Sequence, residues 1–325
     1  MNQQYDAYVT AALFDRSGKA AFALGDGTVR FESGETIEAH GDGAVLSACA
    51  HPGGEGLLTG GDDGRVVWSR PSGAEEIAGL PGRWIDAVAS SAESGLFAFA
   101  AGRELHVRDT GDAAFARVFQ HEKSVADVAF DPKGRRIAAA TYGGVWLWYA
   151  RIAEQKPAIL SWAGSHVAIA WSPDGKFLIS AMQENQLHGW RVADEKNMRM
   201  GGYPAKVKSL VFLSKGQLMA TSGANGAVVW PFAGSTGPMG KQAAEVGYSE
   251  GSLVVRVAAT PAGSLLAGGL DDGRVWVTDL KSGRHAWVKE ETGPALSALA
   301  MTPDGKRLAF GDEEGGAGVA EIDLA

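Results

Sequence analysis

The 325-residue sequence predicts an all-β fold made from one repeated four-stranded sheet. Three observations predict it. A Pro/Gly-type turn recurs every 36 to 47 residues, about 41 on average. A hairpin-forming dipeptide follows each of these turns after one short apolar run. Glycine contributes 45 residues, about twice its usual share, without a collagen period.

The first turns close on Gly18, Gly54, Gly95, Gly134, Gly175, Gly216, Gly263 and Gly305, as in Asp131-Pro132-Lys133-Gly134. The second turns read Asp26-Gly27, Asp63-Gly64, Gly102-Arg103, Gly143-Gly144, Asn185-Gln186, Asn225-Gly226, Asp272-Gly273 and Gly315-Gly316. Asp-Gly and Asn-Gly between β-rich runs favour hairpins because both central positions must accept positive φ. The third run often ends in an aromatic residue: Phe31, Trp68, Trp148, Trp190 or Trp230. A weaker fourth run follows, as at residues 35–38 and 74–77. Each unit therefore reads strand, turn, strand, hairpin, strand, loop, strand, and almost no helical period interrupts the series.

One such sheet cannot cover both of its faces, whereas sheets packed radially cover one another. The expected architecture is a single β-propeller domain over residues 1–325, with eight four-stranded blades. Seven blades are the alternative, but the 41-residue spacing fits eight. The last unit stops at its third strand, so residues 1–4 are expected to close the final blade and with it the ring.

The period, the Ser172-Pro173-Asp174-Gly175 turn and the terminal tryptophans resemble the WD-repeat propellers. The resemblance runs over essentially the whole chain in spacing and is weaker in signature. Ala39-His40 and Gln120-His121 echo the family's Gly-His pair, and no Trp-Asp dipeptide is present. The family's buried hydrogen-bond network is accordingly expected to be missing from most blades, leaving hydrophobic packing to hold them together. The resemblance implies a non-catalytic scaffold that binds a protein or peptide on its loop-rich face.

Charge and composition narrow the partners. The formal net charge of −8 argues against nucleic acid or an anionic membrane, because phosphate recognition needs a basic footprint. Cys49 is the only cysteine, which excludes a disulfide framework and a cysteine-cluster zinc site. The N-terminal segment lacks a basic region followed by an apolar core, and no apolar run approaches the roughly 18 residues of a membrane span. A cytoplasmic protein is expected.

Motifs with chemical potential read as structure. Gly247-Tyr248-Ser249-Glu250-Gly251 fits a nucleophile elbow in letters, but it leads into a strand and not a helix. Asp279, Ser282, Gly283 and Trp287 resemble one copy of the tryptophan-docking motif of quinoprotein propellers, and equally a plain turn. The seven histidines show no metal-ligand spacing. No catalytic residue, metal or cofactor is expected. The alternatives are a hydrolase or lactonase with a metal in the central channel, and a quinoprotein-like or assembly propeller.

On a rigid scaffold, loops carry binding. The loops leading into the innermost strands, with the hairpins between second and third strands, hold the candidate surface. Its residues are Arg83, Trp84, Asp86, Lys123, Tyr142, Trp162, His166, Tyr203, Lys206, Lys208, Tyr248 and Arg256. Tyr, Trp and Arg dominate binding hot spots, and a locally basic surface suits an acidic segment.

Overall fold

The computed structural model describes residues 2–324. Among the described residues the fold is all-β apart from one left-handed turn at Ser214–Gly216, and the strands pair antiparallel. Among the described residues, seven hydrogen-bonded sheets form, six with four strands and one with six. Eight separate sheets were expected. The difference arises where two 14-residue strands, Arg136–Tyr149 and Ala158–Trp171, each run through what the repeat treats as two strands. The two halves of Arg136–Tyr149 have different partners. Residues 137–140 pair with Asp127–Phe130, whereas residues 144–147 pair with residues 158–161, and the register shifts between Tyr142 and Gly144.

The strands group into two compact units, residues 13–171 and residues 2–12 with 172–324. In the first unit, one complete sheet contains Val45–Ala50, Leu57–Gly61, Arg65–Arg70 and Gly73–Gly79. The next contains Ala87–Ser91, Leu96–Ala101, Glu104–Asp109 and Ala116–Gln120. Leu96–Ala101 is buried along its whole length, which explains its unbroken apolar run. Its Leu96, Ala98 and Ala100 pack with Leu105, Val128 and Ile137, and Phe119 stacks on Trp148 with centroids 4.6 Å apart. Hairpin glycines set these strands in register. Gly64 has φ +82, and a side chain there would come within 2.3 Å of the Leu80 carbonyl, so only glycine fits.

The second unit repeats the scheme. Leu213, Val229, Val254, Leu266 and Trp276 form one core cluster between neighbouring sheets. Its last sheet takes its fourth strand from the other end of the chain, as expected. Asn2–Gln4 pairs antiparallel with residues 316–318, and the Tyr5 N–H donates to the Gly315 carbonyl at 2.9 Å. Met1, assigned to the same strand by the sequence, lies outside the described residues.

Polar networks are richer than the missing signatures implied. His40 is buried, with Nδ1 3.0 Å from Asp63 Oδ1 and Nε2 2.8 Å from Thr59 Oγ1. Burial lowers its pKa, outweighing the pull of Asp63. His121 accepts the Trp148 indole N–H at 3.0 Å. The two histidines that echo the family's Gly-His pair therefore keep internal partners without the Trp-Asp dipeptide. Among the described residues, no helix is long and apolar enough to cross a membrane.

Candidate protein-binding surface

In the unit of residues 13–171, the candidate residues that come together are Arg83, Trp84 and Asp86. Their loop is anchored by Ile85, which is fully buried and whose N–H donates to the Gly61 carbonyl at 3.0 Å. That anchor holds Trp84 outward, 64% exposed. Beside it opens a cleft of about 530 Å³, shared with Arg103, Glu104, Gln120 and Ser124. The Arg83 guanidinium lies 3.0 Å from Glu104 Oε2, which also meets His106 Nε2 at 3.0 Å. Burial pushes the Glu104 carboxyl upward, but bonds from Gln120, His106 and Arg83 outweigh it and hold Glu104 below the usual carboxylate range. Burial raises the neighbouring Asp86 carboxyl.

Arg103, Glu104 and Gln120 were not among the sequence candidates. Gly102-Arg103 was recognised as a turn, and a turn already implies exposed side chains beside the next loop. Lys123 and Tyr142 are both exposed, Tyr142 at 65%. Trp162 and His166 depart from expectation. Both lie within the strand Ala158–Trp171 and not on a loop. His166 is fully buried, with Nε2 3.1 Å from the Trp162 carbonyl oxygen, so it presents nothing to a partner.

In the other unit, Tyr248 is 65% exposed and Lys208 is exposed. Lys206 is half-buried and donates to Gln183 Oε1 at 2.6 Å. Tyr203 is not a surface anchor. Its hydroxyl is buried 2.7 Å from Thr221 Oγ1 and accepts the Trp230 indole N–H at 2.7 Å. Burial pushes its pKa up to about 12. Arg256 sits on the strand Val254–Ala259, and its Nε donates to the Ser297 carbonyl at 2.6 Å. It ties two strands together and is not a free loop cation.

The surface offers recognition groups: an exposed indole, cations and hydrogen-bonding side chains in an open cleft. Among the described residues no three His, Cys, Asp or Glu side chains gather as metal ligands. Cys49 is partly buried, and the loss of water around its thiol pushes the pKa up to about 12, far from thiolate chemistry.

Three segments, 32–68, 114–148 and 159–191, match the family model described as WD domain, G-beta repeat. A curated relative is Telomerase protein component 1 of Mus musculus, 26% identical over 220 residues. The match covers 66% of this chain and only 8% of that protein. Among solved structures, the computationally designed Ika8 protein superposes with a TM-score of 0.78 at 18% identity, covering 98% of both chains. A chain of the Mitotic Checkpoint Complex superposes at 0.67 and 15% identity, covering 99% of this chain and 91% of that one. At these identities the structural likeness concerns the fold alone.

Proposed function

From a chain that belongs to the WD-repeat family, we infer a protein-interaction scaffold without catalytic chemistry of its own, in which residues 1–325 act as one propeller domain. The family's repeat is a frame for loops, and fold alone does not choose the partner. The observation that carries the finer reading is Trp84. A large aromatic side chain held 64% exposed by a fully buried neighbour is costly to leave in water and is the kind of anchor that dominates interfaces. Arg83, Arg103 and Lys123 stand on the same and adjacent loops, so the proposed partner is an acidic segment carrying an apolar side chain for the indole.

Peptide-library selection on the purified protein tests this. Retained sequences enriched in Asp or Glu next to an apolar residue, and lost on Trp84→Ala, support the reading. Retained sequences without acidic enrichment, or retention unaffected by Trp84→Ala, overturn it.

The same family matches bear on the number of repeats. Segment 32–68 takes in four strands, from Thr36–Glu38 to the greater part of Arg65–Arg70. Segment 114–148 reaches four only if Arg136–Tyr149 counts as two, and 159–191 only if Ala158–Trp171 does. Counted so, the chain holds eight four-stranded repeats. Gly143 and Gly144, with φ +93 and +148, supply the break in the first of these long strands. An experimental structure in which residues 136–149 run straight through that point would remove the proposal of eight.

A further inference from the structure

Four charged side chains line the Trp84 cleft, and two of them already match each other. Arg83 lies 3.0 Å from Glu104, and Glu104 is held further by His106 and Gln120. Asp86 and Arg103 are left over. Among the described residues, neither side chain has a hydrogen bond or an ion pair. Nor do they satisfy one another. Loss of water alone raises the Asp86 carboxyl, with no cation drawing it back down. Arg103 has a fixed backbone and an exposed side chain. Its carbonyl accepts the His121 N–H at 3.0 Å, with His121 Nδ1 3.2 Å away.

The apolar part of the cleft is equally open. Trp84 is 64% exposed, and among the described residues no ring stacks on it and no guanidinium covers it. Trp84 and Asp86 flank the fully buried Ile85, so both stand outside the core, no more than about 7 Å apart along the chain. The Asp86 N–H donates to the Ala100 carbonyl at 3.1 Å, which fixes this loop against the strand Leu96–Ala101 that leads to Arg103. An open indole therefore has an unmatched carboxylate on its own loop and an unmatched guanidinium on the adjoining turn. A purely acidic ligand would satisfy Arg103 and set a like charge against Asp86, and a purely basic one would do the reverse. A ligand carrying both signs leaves neither charge unmatched as water is excluded.

Resting on the reading of this cleft as a peptide-binding surface, we propose that the partner segment carries a lysine or arginine as well as an acid, one on each side of an apolar residue. The apolar side chain lies on Trp84, the acid meets Arg103, and the base meets Asp86. Asp86 is then the residue that separates a mixed-charge segment from acidic segments in general.

The test is a nuclear magnetic resonance titration of the full chain with capped tripeptides, read at the Trp84 indole N–H. Acetyl-Lys-Leu-Glu-amide and the reversed acetyl-Glu-Leu-Lys-amide carry both charges. Acetyl-Gln-Leu-Glu-amide carries the acid alone, and acetyl-Lys-Leu-Gln-amide the base alone. One of the mixed peptides is expected to bind about threefold more tightly than either singly charged peptide. Asp86→Asn is expected to erase the advantage over the acid-only peptide, and Arg103→Gln the advantage over the base-only peptide, each at an unchanged melting temperature. Mixed peptides that bind no better than the acid-only one, with the Trp84 signal still shifting, would overturn this proposal and leave the acidic-segment reading standing. No Trp84 shift with any peptide up to about 5 mM would end both. An advantage that survives Asp86→Asn would also overturn the proposal. Should Asp86→Asn melt early, Asp86→Ser carries the same comparison.

Discussion

The Asp127 carboxylate accepts the backbone N–H of Ile169, 42 residues further along the chain, at 2.8 Å. Two more bonds repeat the relationship. Ser47 Oγ accepts the Val88 N–H, and Ser209 Oγ accepts the Val257 N–H, each at 3.1 Å. In all three, a short polar side chain on or just before one strand reaches a β-branched residue on a strand 41 to 48 residues further along the chain. Each bond stitches consecutive repeats together where an apolar contact would leave an N–H unsatisfied.

Asp127 differs from the two serines because it titrates. Burial raises its pKa from the ordinary 3.8 to about 6, against the opposing bonds from Ile169 and Val128. The sign follows directly. A carboxyl whose folded pKa exceeds its unfolded value binds its proton more tightly in the native state. Its contribution is therefore most favourable below about pH 4 and is lost as pH rises through about 6. Asp127→Ser keeps an acceptor of the kind already present at residues 47 and 209 and removes the titration. Its melting temperature at pH 8 is expected to exceed that of the parent by a few degrees. Thermal melts from pH 4 to pH 8 check this, and an unaltered slope between pH 4 and pH 6 would refute it.

Trp84 and Ile85 are neighbours with opposite fates. Trp84→Ala removes a side chain that is mostly in water, so the melting temperature is expected to move by no more than about 1 °C. Ile85→Ala empties a site with no exposed surface and is expected to cost about 2–4 kcal/mol. Denaturant unfolding of both variants measures the contrast. Equal losses would mean that Trp84 is a packing residue.

The repeat was legible because it is written in turns, where backbone conformation restricts the residue directly. Gly27, Gly64 and Gly273 all take the left-handed φ that their dipeptides predict. The closing strand Asn2–Gln4 was legible by subtraction, as the one strand missing from the last unit. The binding surface was less so. Residue type marks Tyr203 and Arg256 as hot-spot residues, but not that Thr221 and the Ser297 carbonyl have already claimed their polar groups. Those partners lie 18 and 41 residues away, beyond any local pattern. Trp162 and His166 were misplaced for a related reason. The segment carries glycine and serine like a loop, yet it pairs as strand with its neighbours.

Tyr203→Phe tests the internal network. The substitution keeps the ring and deletes the oxygen that meets both Thr221 and Trp230. The Trp230 N–H and the Thr221 hydroxyl each lose a partner within the protein, so a loss of about 1–3 kcal/mol is expected. Thr221 still bonds the Val228 carbonyl at 3.3 Å, which limits its share. Equilibrium unfolding measures the loss, and a value indistinguishable from the parent would mean that water replaces the hydroxyl.

Ser214, Lys215 and Gly216 form three successive positive-φ residues, at +51, +57 and +80. In the other repeats a turn such as Pro303-Asp304-Gly305 makes the same reversal with positive φ only at glycine. Here the strained turn is held from outside. The Ser214 and Lys215 N–H groups donate to the Gly263 and Pro261 carbonyls at 2.9 and 2.8 Å. Left-handed backbone costs an L-residue about 1–2 kcal/mol, a penalty glycine escapes at the expense of greater freedom when unfolded. Lys215→Gly keeps both N–H bonds and relieves the strain, and it is expected to stabilise the protein by about 1 kcal/mol. Lys215→Pro removes the donor to Pro261, forces φ negative and is expected to destabilise by more than that. Paired melts of the two variants give the answer, and a destabilised Lys215→Gly would show that the lysine side chain itself holds the turn.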